Sequence, residues 1–242
     1  MNMWPNFLPS LLKGQPMFNL SNAVDYYYWP TPNGQKVAIF LEESELPYVS
    51  HPINISNGEQ FSAEFTRISP NQRIPAIVDK ETGVSVFESG AILLYLAQRR
   101  GEFIPADPNG AAEVMQWLFW QAANLGPILG QAVFFLNYAF EHVPLAVARF
   151  SKETERLYGV LEQQLSERPY VAGEYSIADM AIYPWVLQHD KQGMSLDAYP
   201  NVAAWLEKIS KRPAVVRAYA KGEQIRPSVQ TDQDRKKLYG LP

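Results

Sequence analysis

The position at which strand patterns end limits the fold more than any other property of this chain. "VDYYYW", from Val24 to Trp29, is aromatic and β-prone, Gly34 to Glu45 places Val37, Ala38, Phe40 and Leu41 at helical spacing, and "PYVSHPIN" returns to strand character. A short helix is expected from Phe61 to Ile68. "IPAIVD" and "VSVF" then read as two strands split by the turn signal Glu81-Thr82-Gly83, a spacing that only an antiparallel hairpin satisfies. "ESGAILLYLAQRR" follows as a helix, with Ile92, Leu93 and Leu96 on one side and Arg99 and Arg100 complementing the dipole in its last turn. The order is βαβαββα, and after Pro105 no strand pattern recurs.

The segment Pro105 to Gly110 is therefore the expected domain boundary. Ala111 to Phe140 is apolar and aromatic, with an interruption expected at Gly126-Pro127, and Leu157, Leu161 and Leu165 stand four apart on one helical face. "YSIADM" has the spacing of a capping box between Ser176 and Asp179, a structural feature. The expected division is an extension at 1–22, an α/β domain at 23–104, an all-helical domain at 110–221 and a polar tail at 222–242.

Composition matters here for what it excludes. The chain has 242 residues and no cysteine, which removes disulfides, thiolate metal sites and any sulfur nucleophile of its own. His51, His142 and His189 are scattered, so no metal is expected. A net charge of −4 gives no basic field for nucleic acid or an anionic membrane. The amino-terminal stretch lacks a signal-like apolar run, and the expected location is the cytoplasm.

Three polar points of the first domain invite one reading. Thr31 and Asn33 occupy the turn between the first strand and helix, where α/β proteins place chemistry. Ile74 precedes Pro75 at a strand start, where a cis bond turns the Ile74 backbone outward to pair with an extended peptide. Glu88 and Ser89 stand at a helix start, where a hydroxyl, unpaired amides and the positive dipole end receive a carboxylate. Together they describe a cradle for a short anionic peptide.

The run "TPNGQKVAIFLEE…SPNQRIPAIVD…VFESGAILLYLA", followed by "QWLFWQ", "LGPILG" and "YSIADMAIYPW", resembles the nu-class, disulfide-reductase-like glutathione transferases over residues 24–220. The resemblance implies a thioredoxin-like domain joined to an all-helical domain, assembled as a homodimer. It implies that Glu88 and Ser89 hold the γ-glutamyl end of glutathione, that Ile74 pairs with its cysteinyl backbone, and that Thr31 and Asn33 lie beside its sulfur. Gln60 and Arg149 match further glutathione contacts of the group, and Arg73 stands where the group often has lysine at the glycine carboxylate. Tyr26, Tyr27 and Tyr28 offer a rival activator, since other transferase classes use a tyrosine hydroxyl near this turn. The implied activity is reduction of a small or mixed disulfide by glutathione. The alternatives are conventional transfer to an electrophile, or a non-catalytic binding module.

Overall fold

The computed structural model describes residues 24–225. The extension at 1–22 and the residues after 225 lie outside the described residues. In the first domain, β1 (Val24–Tyr28), α1 (Pro32–Glu43), β2 (Tyr48–Pro52), α2 (Ala63–Ile68), β3 (Ala76–Asp79), β4 (Ser85–Phe87) and α3 (Ser89–Arg100) follow one another in the expected order. The sheet runs β2-β1-β3-β4, with β1 parallel to β2 and antiparallel to β3, and β3 and β4 form the antiparallel hairpin. The first helix begins earlier than its apolar pattern, because Thr31 is its N-cap and Pro32 supplies a first helical residue that needs no partner for an N–H. The second begins later, at Ala63, because Ser62 caps it by accepting from the Phe65 amide at 3.2 Å after a 3₁₀ turn at Glu59–Phe61.

The second domain contains α4 (Pro108–Trp120), α5 (Gly126–Asn137), α6 (Pro144–Leu165), α7 (Ile177–Val186), α8 (Pro200–Ser210) and α9 (Pro213–Ile225). The last helix continues past the 221/222 boundary, with Gly222 buried. Gly126-Pro127 does not break the chain's helical course. Pro127 has no N–H for an α-type bond, and the ladder widens into a π segment at Gln121–Leu125, where the Gly126 amide donates to Gln121 O, five residues back.

Helix α1 is buried from Gly34 to Glu42 and packs against α3 of its own domain and α7 and α9 of the other. Val37, Ile39, Phe40 and Leu41 are each at most 1 % exposed, and burial of a side chain of this size contributes about 1.5–3 kcal/mol. Glu43 is held by Arg212 in a two-pronged pair at 2.5 and 2.9 Å, and Glu42 by Arg217 at 3.0 Å and by Lys221. One contiguous apolar core spans both domains, so the helical domain fixes the position of α1 and of the turn before it.

Candidate functional site

The turn between β1 and α1 is set by backbone crowding. A Cβ at Gly34 would lie 2.1 Å from Trp29 O, so only glycine lets the chain turn this tightly. The Thr31 hydroxyl accepts from the Gly34 amide at 3.4 Å, a long cap that leaves its O–H proton for another acceptor. The Ile74–Pro75 bond is cis, at the entry to β3. Helix α3 opens on Ser89 as its first helical residue. Its N-cap is Glu88, at φ 69° and ψ 116°, and no side chain caps the helix. The first-turn amides, unpaired within any helix, are left for a ligand.

These features meet at a cavity of about 690 Å³ between the two domains, within the range of about 300–1,000 Å³ usual for ligand sites. Asn33, Arg73, Glu88 and Ser89 line it from the first domain. Gln121, Pro127, Gly130, Phe134 and Trp185 line it from the second. Ile74 follows the lining residue Arg73 and Thr31 stands two residues before the lining residue Asn33, and neither is part of the wall. Gln60 and Arg149 are not in the wall either. Gln60 is buried with an unpartnered Oε1 in the 3₁₀ turn, and Arg149 is exposed on α6.

The tyrosines face elsewhere. The Tyr26 hydroxyl is fully buried and donates to Gly34 O, and burial raises its pKa well above the ordinary value. Tyr28 stacks on it at 4.3 Å within the core, and Tyr27 stacks on His51 at 4.6 Å. None lines the cavity. Tyr26 therefore supports the turn by holding a backbone carbonyl.

Three residues of the site escaped the sequence reading. Lys36, 2 % exposed, donates from Nζ to Gln121 Oε1 at 2.6 Å and to Ser89 Oγ at 3.2 Å, bridging the two domains behind the carboxylate-ready helix end. Burial pushes its ammonium down to about 7, with the Glu88 charge opposing. Gln121 is 1 % exposed, and its Nε2 is buried without a partner at the cavity wall. Trp185 donates from its indole N–H to Asn33 Oδ1 at 3.2 Å. The available signal was charge in the wrong place: Lys36 immediately precedes the apolar run Val37 to Leu41 of α1. An unpartnered buried amide, an uncapped helix end and a polar turn in one cavity fit a small peptide-like anion.

Comparison with known proteins supports the same reading. Residues 22–98 match the family model for the glutathione S-transferase N-terminal domain, and residues 132–213 that for the C-terminal domain. The disulfide-bond oxidoreductase YfcG of Escherichia coli (strain K12) is 47% identical over 206 residues, covering 83% of this chain and 96% of that protein. The disulfide-bond oxidoreductase YghU of the same organism is 40% identical over 213 residues, covering 81% of this chain and 74% of that protein. A glutathione transferase family member from Pseudomonas fluorescens Pf-5, solved with two glutathione bound, superposes with a TM-score of 0.77 at 38% identity, covering 81% of this chain and 92% of that one. A glutathione transferase from Pseudomonas putida, with one glutathione disulfide bound per subunit, gives 0.77 at 39% identity, covering 81% and 90%.

Proposed function

The chain belongs to the glutathione S-transferase family, and we propose that it is a glutathione-dependent disulfide-bond oxidoreductase. One observation carries the reading: a cavity fit for a peptide-like anion abuts the β1–α1 turn of a chain that has no cysteine, so the reducing sulfur has to arrive with the ligand. Bound glutathione supplies the thiolate that displaces one half of a disulfide.

The chain's own residues bind that ligand and favour its charge. Glu88, Ser89 and the α3 amides hold the γ-glutamyl end, where a carboxylate complements the helix dipole. Ile74 pairs through its backbone with the cysteinyl unit. Arg73, exposed at the rim, meets the glycine carboxylate, and its wider guanidinium keeps the charge that a lysine would supply. Thr31 and Asn33 donate to the sulfur. A hydrogen bond to a charged group contributes about 1.5–3 kcal/mol, and one pKa unit is about 1.4 kcal/mol. One such donor thus lowers a thiol near ~8.5 by roughly one to two units, into the physiological range. Gln60 and Arg149 act as outlying contacts, Arg149 toward a second glutathione. The protein works as a cytoplasmic homodimer; no helix among the described residues is long and apolar enough to cross a membrane.

Turnover of hydroxyethyl disulfide compared with that of a chloronitrobenzene, each with glutathione, tests the reading. Predominant disulfide reduction is expected. Activity on the aryl halide alone would assign the chain to conventional transfer, and absence of glutathione binding would make it a binding module.

A further inference from the structure

Asn33 and Trp185 meet across the domain boundary, 152 residues apart in sequence, and the chemistry of the contact fixes which way the amide faces. An indole N–H donates and has no lone pair in the ring plane with which to accept, so the atom it touches at 3.2 Å has to be the Asn33 oxygen. The Asn33 nitrogen has no hydrogen-bond partner among the described residues, and Asn33 and Trp185 both line the cavity. We propose that Trp185 is a positioning residue: by occupying Asn33 Oδ1 it leaves the amide's two N–H donors as the part of Asn33 offered to a sulfur anion in the cavity. Without the indole, the amide can turn its oxygen to the sulfur as readily as its nitrogen, and an oxygen there repels a thiolate. The inference rests on the disulfide-reductase reading above and adds to it a reason why the helical domain is needed for chemistry in the first.

The backbone that carries the indole is itself held from behind, at the Trp185 carbonyl. Trp185 O accepts from Gln192 Nε2 at 2.7 Å, and Gln192 Oε1 accepts from the Tyr158 hydroxyl at 2.7 Å, with Gln192 and Tyr158 both at most 1 % exposed. On its other side α5 presents glycines. A Cβ at Gly130 would come within 3.4 Å of the ring, and one at Gly126 would stand 2.7 Å from the Gln121 amide and 3.7 Å from the indole. The six-membered edge of the indole thus lies in a slot that side chains larger than hydrogen would narrow, while its N–H reaches Asn33. Hydrogen bonds thus anchor the main chain of Trp185 and close packing confines its ring, a combination that limits the orientations open to the donor.

Trp185→Phe keeps an aromatic ring in the slot and removes the donor. In that variant the pH midpoint of the thiolate absorbance of bound glutathione should rise by about half a unit to one unit. kcat for hydroxyethyl disulfide should fall roughly 3- to 10-fold, with KM for glutathione nearly unchanged. A merely structural role would move the melting temperature and KM together and leave the midpoint alone, which would overturn the assignment. In an Asn33→Ala background, Trp185→Phe should add little; multiplicative losses would contradict the coupling. Should Trp185→Phe fold poorly, Asn33→Asp serves instead, because a carboxylate still accepts from the indole yet has no N–H to give. Its thiolate midpoint should rise further than that of Asn33→Ala, and a midpoint equal to or below that of Asn33→Ala would overturn the proposal. A wild-type protein that shows no bound thiolate at all would sink the disulfide-reductase reading and this one with it, whereas an intact wild-type titration with an unaffected Trp185→Phe would sink this one alone.

Discussion

Two helices of this protein carry a serine at their start, Ser176 before α7 and Ser89 in α3, and their ends do opposite things. At α7, Ser176 accepts from the Ala178 amide at 3.3 Å, and Asp179 reaches back to the Ser176 amide at 3.1 Å. Asp179 also accepts from the Val171 amide and from the Trp205 indole at 2.9 Å. At α3, Ser89 sits one place further in, its N-cap Glu88 is held at positive φ, and no side chain caps the amides. The first end satisfies its donors within the chain and fixes a buried corner of the core. The second keeps them available at a cavity wall. A helix start left uncapped is a candidate anion site, and the cost is a residue in an unfavourable backbone region.

The largest test breaks the structural end. Asp179→Ala leaves the Trp205, Val171 and Ser176 donors buried without their acceptor and should lower unfolding free energy by roughly 3–4 kcal/mol, read by urea denaturation. A loss below about 1 kcal/mol would mean that water or repacking replaces the cap. At the binding end the same kind of deletion should move the other quantity. Ser89→Ala should weaken glutathione affinity by about 1–3 kcal/mol in calorimetry, at a smaller cost in stability than Asp179→Ala because Lys36 keeps Gln121 as a partner. Unchanged affinity in the folded variant would remove Ser89 from the site.

Glu88→Gly sharpens the contrast further, since it relieves a left-handed residue and removes a carboxylate. It should stabilise the fold by about 1 kcal/mol and still weaken glutathione binding. A variant that is both less stable and equally avid would refute the strain. Lys36, which donates to Ser89, separates the two ends by pH. Its folded pKa is depressed from 10.5 to about 7, so its burial penalty is full below about pH 7 and is relieved as pH rises from there toward 10.5. Lys36→Met should therefore gain most over the wild type near pH 6 and progressively less toward pH 9, in parallel denaturation curves. A pH-independent difference would show that the ammonium is better solvated than its position implies.

Much of the architecture was legible because it is local. The βαβαββα order, the hairpin, the cis bond before Pro75 and the Ser176–Asp179 box each follow from residues within one element or one turn. The same kind of reading located Thr31, Asn33 and Ser89 at turn and helix start. What it missed depends on partners far along the chain. Lys36 meets Gln121 at a separation of 85 residues, and Asn33 meets Trp185 at 152. Periodicity reports which face of an element is apolar and says nothing of what that face will touch. The interruption at Gly126-Pro127 is local too, but its form is not legible: with no N–H on Pro127 the neighbouring turn widens into a π segment and the helical course continues.

The claim on which the rest depends is that the β1–α1 turn, and not a tyrosine, favours the ionised sulfur of bound glutathione. Ultraviolet absorbance of the bound thiolate, followed against pH in the wild type, Thr31→Ala and Tyr28→Phe, tests it most directly. The wild-type midpoint should lie roughly one to two units below the ~8.5 of a free thiol. It should move back toward that value in Thr31→Ala, with disulfide reduction slower by roughly 10- to 100-fold. Tyr28→Phe should titrate as the wild type does. A midpoint that shifts in Tyr28→Phe and stays fixed in Thr31→Ala would contradict the account and place the protein with the tyrosine-activated transferases.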